Sequence, residues 1–291
     1  MAEPRRAIGV DVGGSGIKAA VVDIDAGAFS SERLRVPTPK PSTPEAVAAS
    51  IGRLVRRLVK ASEVDATVPV GIGLPGVVLD GVLKTAANID PSWVDFPITE
   101  RLEKSLKRPV TIANDADVAG IAEMRFGVGK GRGGVVIMLT LGTGVGSAIF
   151  IDGMLVPNAE FGQMEIRGRP AERRSASVAR TRRGLSWKAW ASDLDEHLHR
   201  IDDLIWPDLI ILGGGVSKNG PKFIPRLTMR PEVVPAQLRN DAGIIGAAVV
   251  AYERLTLGTP AAASTRATSA VAATTASATP AAAPADATTE P

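Results

Sequence analysis

Asp115 is the side chain whose position most invites chemistry. It follows Val110, Thr111, Ile112 and Ala113, a short apolar, β-branched run that reads as a buried strand. Val118, Ile121 and Ala122 then recur at helical spacing. A carboxylate is therefore expected where a strand gives way to a helix N-terminus. In open α/β sheets, ligands bind outside the carboxyl ends of the strands. An aspartate there can accept a proton from a substrate hydroxyl. The competing reading is that Asp115 only caps the helix, a role Asn and Asp favour.

Three glycine turns supply a second kind of chemistry. Asp11-Val-Gly13-Gly14-Ser15-Gly16, Thr140-Leu-Gly142-Thr143-Gly144-Val-Gly146 and Gly213-Gly214-Gly215-Val216 each follow an expected strand. Glycine lets backbone N–H groups approach an anion closely, and such nests cradle phosphates. None of the turns carries the Walker pattern, and the first two lead back into strands, unlike a dinucleotide-binding βαβ unit. The expectation is a phosphate site gripped from both sides by two hairpins. Phosphoryl transfer needs a phosphate cradle, a metal to bridge oxygens and a base to orient the attacking hydroxyl. Asp11, beside the first turn, could hold a hydrated Mg²⁺. Lys18 could meet phosphate or sit on a strand surface, and Asp115 supplies the base.

The elements needed to position these groups are legible along the chain. Residues 7–12 and 17–24 read as strands around the first turn, and residues 29–36 as a third. Thr43 caps a helix with Pro44 in its first turn and an apolar stripe of Val47, Ile51, Leu54, Val55 and Leu58. Its Arg53, Arg56, Arg57 and Lys60 face could bind an anion or be solvated. Residues 68–74 form the next strand, Asp80-Gly81 a hairpin turn, and Trp93 packs under the loop at 88–91. After the helix that Asp115 begins, the order strand, glycine turn, strand occurs again at 135–151. Two related α/β halves facing each other across a cleft are expected. Domains are placed at 1–112 and 113–240, with a helix at 241–256 packing back on the first. Ser186 caps a helix to about Ile205, whose His197 and His199 are expected at the surface. The Ala/Thr/Pro tail at 257–291 cannot build a core and is expected to be disordered.

Composition narrows the class. The 291 residues contain no cysteine and two histidines, which argues against disulfides, thiolate sites and a histidine metal cluster. A net charge of +3 gives no argument for nucleic acid. No apolar run is long enough to span a bilayer, and the first strand begins near residue 7, leaving no room for a leader. A cytoplasmic location is expected.

In order, Asp11–Lys18, Gly71-Ile-Gly-Leu-Pro-Gly76, Asn114-Asp115, Leu141–Gly146, Glu160-Phe-Gly-Gln163 and Gly213–Val216 resemble the motifs of ROK-family sugar kinases. The resemblance covers roughly residues 7–255. It is closest to the polyphosphate-dependent glucokinase branch, through Asn88-Ile89-Asp90, Met164–Gly168, Leu185-Ser186-Trp187, Leu238-Arg239-Asn240 and Gly243–Gly246. It implies the actin-like fold of two ribonuclease-H-like domains. It also implies Mg²⁺-dependent transfer to the 6-hydroxyl of glucose from polyphosphate, ATP or both, and a homodimer. Carried over by motif, Asp115 is the base, and Asn88, Asn114, Glu160, Gln163 and Glu165 are sugar contacts. Gly13, Gly14, Ser15, Lys18, Thr140, Gly142, Thr143 and Gly144 face phosphate, and Gly213, Gly214 and Gly215 lie toward the nucleotide.

Two departures stand out. The cysteine-rich zinc site of many family members has no counterpart here, so no zinc is expected. Gln163 stands where the family usually has His; both side chains donate and accept hydrogen bonds. Ser15 also replaces a more usual Thr. The seven arginines between Arg167 and Arg183 could form a polyphosphate path or a solvated loop interrupted by Glu172. Competing functions are an ATP-only hexokinase of the same family, a sugar-binding protein with weakened catalysis, and a sugar-responsive repressor. The repressor would need a helix-turn-helix ahead of the first strand, and none is expected.

Overall fold

The computed structural model describes residues 5–86 and 89–258. In chain order the elements are β1 (Arg6–Gly13), β2 (Gly16–Asp23), β3 (Ala28–Phe29), β4 (Leu34–Val36), α1 (Pro44–Ser62), β5 (Val70–Leu74), β6 (Val78–Leu79), β7 (Val82–Leu83), α2 (Ile98–Leu106), β8 (Val110–Asn114) and α3 (Asp115–Phe126). There follow β9 (Val135–Leu141), β10 (Val145–Ile151), β11 (Met154–Val156), β12 (Glu165–Ile166), β13 (Arg169–Pro170), α4 (Glu172–Ser175), α5 (Ser177–Arg182), α6 (Trp187–Ile205), β14 (Leu209–Gly213), α7 (Gly220–Phe223), β15 (Glu232–Pro235) and α8 (Ala242–Leu257).

Two sheets repeat one plan. The first runs β3-β2-β1-β5-β8, with β4 also on β2; the second runs β11-β10-β9-β14-β15. In each, an antiparallel hairpin is joined by two parallel strands. This is the doubled ribonuclease-H-like arrangement of the actin-like fold. Val47, Ile51, Leu54, Val55 and Leu58 of α1 pack with Leu102 of α2 on the outer side of the first sheet. Trp190, Leu194, Leu198 and Ile201 of α6 cover the outer side of the second. Between the sheets lie α3 and α8, with Ala119, Ala122, Ile244, Ala248 and Val249 meeting Ala20 and Val22 on one side and Met138 and Phe150 on the other. Apolar faces buried from both sides explain the aliphatic, aromatic-poor composition.

The close fit of α8 depends on small residues. A Cβ at Gly9 would fall on the Ile244 carbonyl, one at Gly71 on the Ala247 carbonyl, and one at Gly246 on the Val118 carbonyl. Local signals act as read: Thr43 Oγ1 accepts from Ala46 N, Ser186 Oγ from Ala189 N, and buried Trp93 donates Nε1–H to the Ser42 carbonyl at 2.7 Å. Asp80-Gly81 and Asp152-Gly153 turn their hairpins with positive φ at both residues, as a type I′ turn requires.

Three expectations are corrected. Residues 29–36 are not one strand: β3 and β4 are separate, because Ser30-Ser31-Glu32-Arg33 has no apolar face. There Ser31 Oγ accepts the Val21 N–H in place of a strand carbonyl. His197 is buried, 1% exposed, whereas His199 stays outside on Thr228 Oγ1. The alternative of a solvated loop at 167–183 does not hold, because most of the segment folds into β13, α4 and α5. The tail beyond Gly258 lies outside the described residues.

Candidate active site

Strand β8 ends at Asn114, which is the cap of α3: its Oδ1 accepts from Ala116 N at 2.8 Å and Asp117 N at 3.0 Å. This removes capping from Asp115, the first helical residue, and leaves its carboxylate on the floor of a cleft of about 360 Å³. Asn114 Nδ2 donates to the Gly76 carbonyl at 3.0 Å, so the residue expected to contact sugar is largely spent on holding the site together.

The cleft is bounded by the two repeated hairpins. Gly13, Gly14 and Ser15 of the β1–β2 turn line one side; Gly142, Thr143 and Gly144 of the β9–β10 turn line the other. Thr140, Gly214, Gly215 and Gly243 close its back. Gly214, at φ 79, lies where a Cβ would meet the Leu141 backbone. Gly146 is also obligatory: a Cβ there would sit 2.6 Å from Thr140 Oγ1 and 3.9 Å from Asp115 Oδ1. Its bareness lets the second sheet reach the start of α3.

Asp11 and Lys18 face each other across β1 and β2 and pair at 2.9 Å inside the cleft. Lys18 is thus neither free nor on an outer strand surface. Burial raises the Asp115 pKa first, then the Asp11 charge and, more weakly, Glu160; backbone N–H groups partly oppose this, and the value settles at about 7. A carboxylate so poised suits proton acceptance near neutrality. Asp117, on the buried side of α3, is likewise pushed up to about 7, chiefly by burial. Its Oδ2 accepts the Asn158 N–H at 2.9 Å, and its Oδ1 has no partner.

Glu160 and Gln163 line the opposite wall. Burial and the charge of Glu172 raise the Glu160 pKa. Gln163 Nε2 donates to Glu172 Oε1 at 3.1 Å, and Glu172 Oε2 accepts from Val145 N at 3.0 Å. Glu172, read in the sequence only as a break in a basic run, is therefore a wall of the cleft. Arg239 and Asn240 also line it, as do Thr85 and Ile89. The segment carrying Arg239 is tethered by Glu123, fully buried, which accepts from Gln237 N at 3.2 Å, Leu238 N at 2.6 Å and Val128 N at 3.2 Å. Buried His197 stands behind Glu160: Nε2–H donates to the Phe161 carbonyl at 3.0 Å, and Nδ1 lies 2.9 Å from Ser175 Oγ. Burial lowers its pKa, disfavouring the charged ring.

Not every expected contact is brought in. Glu165 is exposed on β12 and does not line the cleft, because the β12–β13 hairpin turns it to solvent; Gly213 stays beneath its neighbours at the end of β14. Asn88 lies outside the described residues. No helix among the described residues is long and apolar enough to cross a membrane.

This geometry has known counterparts. The profile of the ROK family matches residues 7–164. The chain is 44% identical over 253 residues to a polyphosphate glucokinase of Mycobacterium tuberculosis, covering 87% of this chain and 93% of that protein. The crystal structure of an inorganic polyphosphate/ATP-glucomannokinase from Arthrobacter sp. strain KM superposes with a TM-score of 0.82 at 47% identity, over 84% of this chain and 97% of that one. A ROK-family glucokinase from Streptomyces griseus, solved with glucose and AMPPNP, matches with a TM-score of 0.74 at 28% identity, over 85% and 99% of the two chains. With its paired ribonuclease-H-like sheets and its glycine hairpins, this chain belongs to the ROK family.

Proposed function

We propose that this protein transfers a phosphoryl group to the 6-hydroxyl of glucose, with inorganic polyphosphate and ATP as donors. The observation that carries the proposal is the Asp115 carboxylate, poised near pKa 7 on the floor of a cleft between two glycine hairpins. The similarity to the polyphosphate glucokinase and to the polyphosphate/ATP-glucomannokinase supports the choice of acceptor and donors.

In this reading the sugar hydroxyl approaches Asp115, which accepts its proton as the oxygen attacks phosphorus, and the donor's bridging P–O bond breaks to release ADP or the shortened polyphosphate. Glu160 and Gln163 hydrogen-bond the sugar hydroxyls, and a site built for such bonds rejects analogues lacking them. The backbone N–H groups of the two turns hold phosphate oxygens. The carboxylates suit Mg²⁺, which takes one or two of them and keeps several waters. Asp11 and Asp115 share the cleft closely enough that one raises the pKa of the other, a repulsion a divalent cation would relieve. Asp11 would hold the ion through water, and the ion would neutralise charge on the phosphates.

The basic segment supports polyphosphate in part. The Val178 N–H donates to the Gly142 carbonyl at 3.1 Å, so α5 abuts the phosphate turn. Arg174 and Arg183 are tied to Asp193, Arg167 and Arg174 to Glu196, and Arg180 stacks on Trp187 at 4.0 Å. Arg169, Arg173 and Arg182 have neither a carboxylate partner nor a stacked ring among the described residues, and we assign Arg173 and Arg182, which lie on α4 and α5, to the polyphosphate path. The test is to supply glucose and Mg²⁺ with polyphosphate or ATP and measure glucose 6-phosphate. Product from both donors is expected. Product from ATP alone would remove the polyphosphate assignment, and product from neither would remove the function.

A further inference from the structure

We infer that Asn158 is a positioning residue for the sugar site, a clamp that locks the wall bearing Glu160 to the wall bearing Thr85. The inference rests on the proposed function for its substrate.

Asn158 belongs to the second half of the chain, two residues before Glu160. Its side chain reaches into the first half and pairs with one residue there. Asn158 Oδ1 accepts the Val78 N–H at 2.8 Å, and Asn158 Nδ2 donates to the Val78 carbonyl at 3.0 Å. One amide side chain thus imitates a strand partner at the edge of the β6–β7 hairpin. That hairpin carries the opposite wall: Val77 N–H donates to Thr85 Oγ1 at 2.9 Å, and Thr85 lines the cleft.

The clamp is itself held from behind. The Asn158 N–H donates to Asp117 Oδ2, so α3, which presents Asp115, fixes the same residue. Asn158 has φ 62, a left-handed conformation that asparagine tolerates better than most residues. On the other side, Ser147 Oγ donates to the Ala159 carbonyl at 2.7 Å and accepts from Phe161 N at 2.8 Å. The backbone on both sides of Glu160 is therefore pinned, whereas Glu160 makes no side-chain hydrogen bond among the described residues. This is the arrangement expected of a group held ready for a ligand. Displacing a positioned group by about 1 Å can cost roughly a hundredfold in rate.

The decisive variant is Asn158→Gly, which keeps the left-handed backbone and removes only the amide bridge. Expected is a rise of about tenfold in KM for glucose, with KM for the phosphoryl donor unchanged within about twofold. Amide exchange at Val78 should lose protection while Ile72, inside β5, keeps it. Unchanged glucose KM, or an equal rise for both substrates, would overturn the inference, as would unaltered Val78 protection. A wild-type chain that phosphorylates no glucose would overturn the proposed function and this inference with it. Normal wild-type turnover beside an unaffected Asn158→Gly would overturn this inference alone.

Discussion

Gly14 and Thr143 face each other across the cleft: a Cβ on Gly14 would come within 3.8 Å of Thr143 Oγ1. One belongs to the β1–β2 turn and the other to the β9–β10 turn, so the tips of the two repeated hairpins meet over the floor that holds Asp115. A phosphate chain between them would touch backbone N–H groups from both sheets. Thr143→Ala should raise KM for both phosphoryl donors about tenfold and leave KM for glucose within about twofold. Initial-rate kinetics with each substrate varied would check this; a change confined to glucose would contradict the assignment of the turn.

Protonation of Asp115 sets a pH limit. As the proposed base, Asp115 would act only in its ionised form, which its raised pKa of about 7 makes scarcer as the pH falls. Turnover should fall on the acid side, starting near pH 7 or lower, because a bound cation would offset the Asp11 charge that helps to raise the Asp115 pKa. A kcat profile flat from pH 5 to 8 would count against proton transfer to Asp115.

The same shift has a stability consequence of opposite usefulness. The folded pKa lies above the ordinary carboxylate value of 3.8, so the native state binds more protons between about pH 4 and 7. Stability contributed by this group is therefore lost as pH rises through that window. Asp115→Asn should be more stable than the wild type by about 1–3 kcal/mol at pH 8, with the difference vanishing toward pH 4. Urea unfolding at the two pH values measures it.

Glu123 should be the most costly polar residue to truncate. Glu123→Ala would leave the N–H groups of Val128, Gln237 and Leu238 without the fully buried carboxylate that accepts them. A loss of about 2–4 kcal/mol is expected, less than three full penalties of about 1–3 kcal/mol each because Gln237 is exposed and its N–H can turn to water. Glu123→Gln, which keeps one acceptor oxygen, should lose less.

The two classes of arginine should separate. Arg173→Gln with Arg182→Gln should raise KM for polyphosphate several-fold more than KM for ATP, and the effect should shrink with added salt. Arg174→Gln should instead lower stability by about 1–3 kcal/mol, because Asp193, 8% exposed, loses a partner. Equal effects of the double variant on both donors would remove the polyphosphate path.

What could be read from the sequence was local. Thr43-Pro44, Asp80-Gly81 and Ser186 act through neighbours a few residues away, and each does what its type suggests. The strand ends bearing Asp11 and Asp115 were legible because a glycine turn or a helix pattern follows each. What remained hidden depends on distant partners. Asn158 meets Val78, 80 positions away; Glu123 meets Leu238, 115 positions away; His197 meets Phe161, 36 positions away. Nothing in their immediate surroundings distinguishes these three from ordinary polar residues on a loop or a helix. Glu165 stands away from the cleft for a related reason: the β12–β13 hairpin, not its neighbours in sequence, leaves it exposed.

The most direct test compares wild type and Asp115→Asn in one assay for glucose 6-phosphate, with polyphosphate and with ATP, beside calorimetric binding of glucose. The wild type should yield product from both donors. Turnover of the variant should be lower by about a hundred- to ten-thousand-fold, with glucose affinity kept within a few-fold. A variant that turns over at the wild-type rate would contradict the assignment of Asp115 as the base.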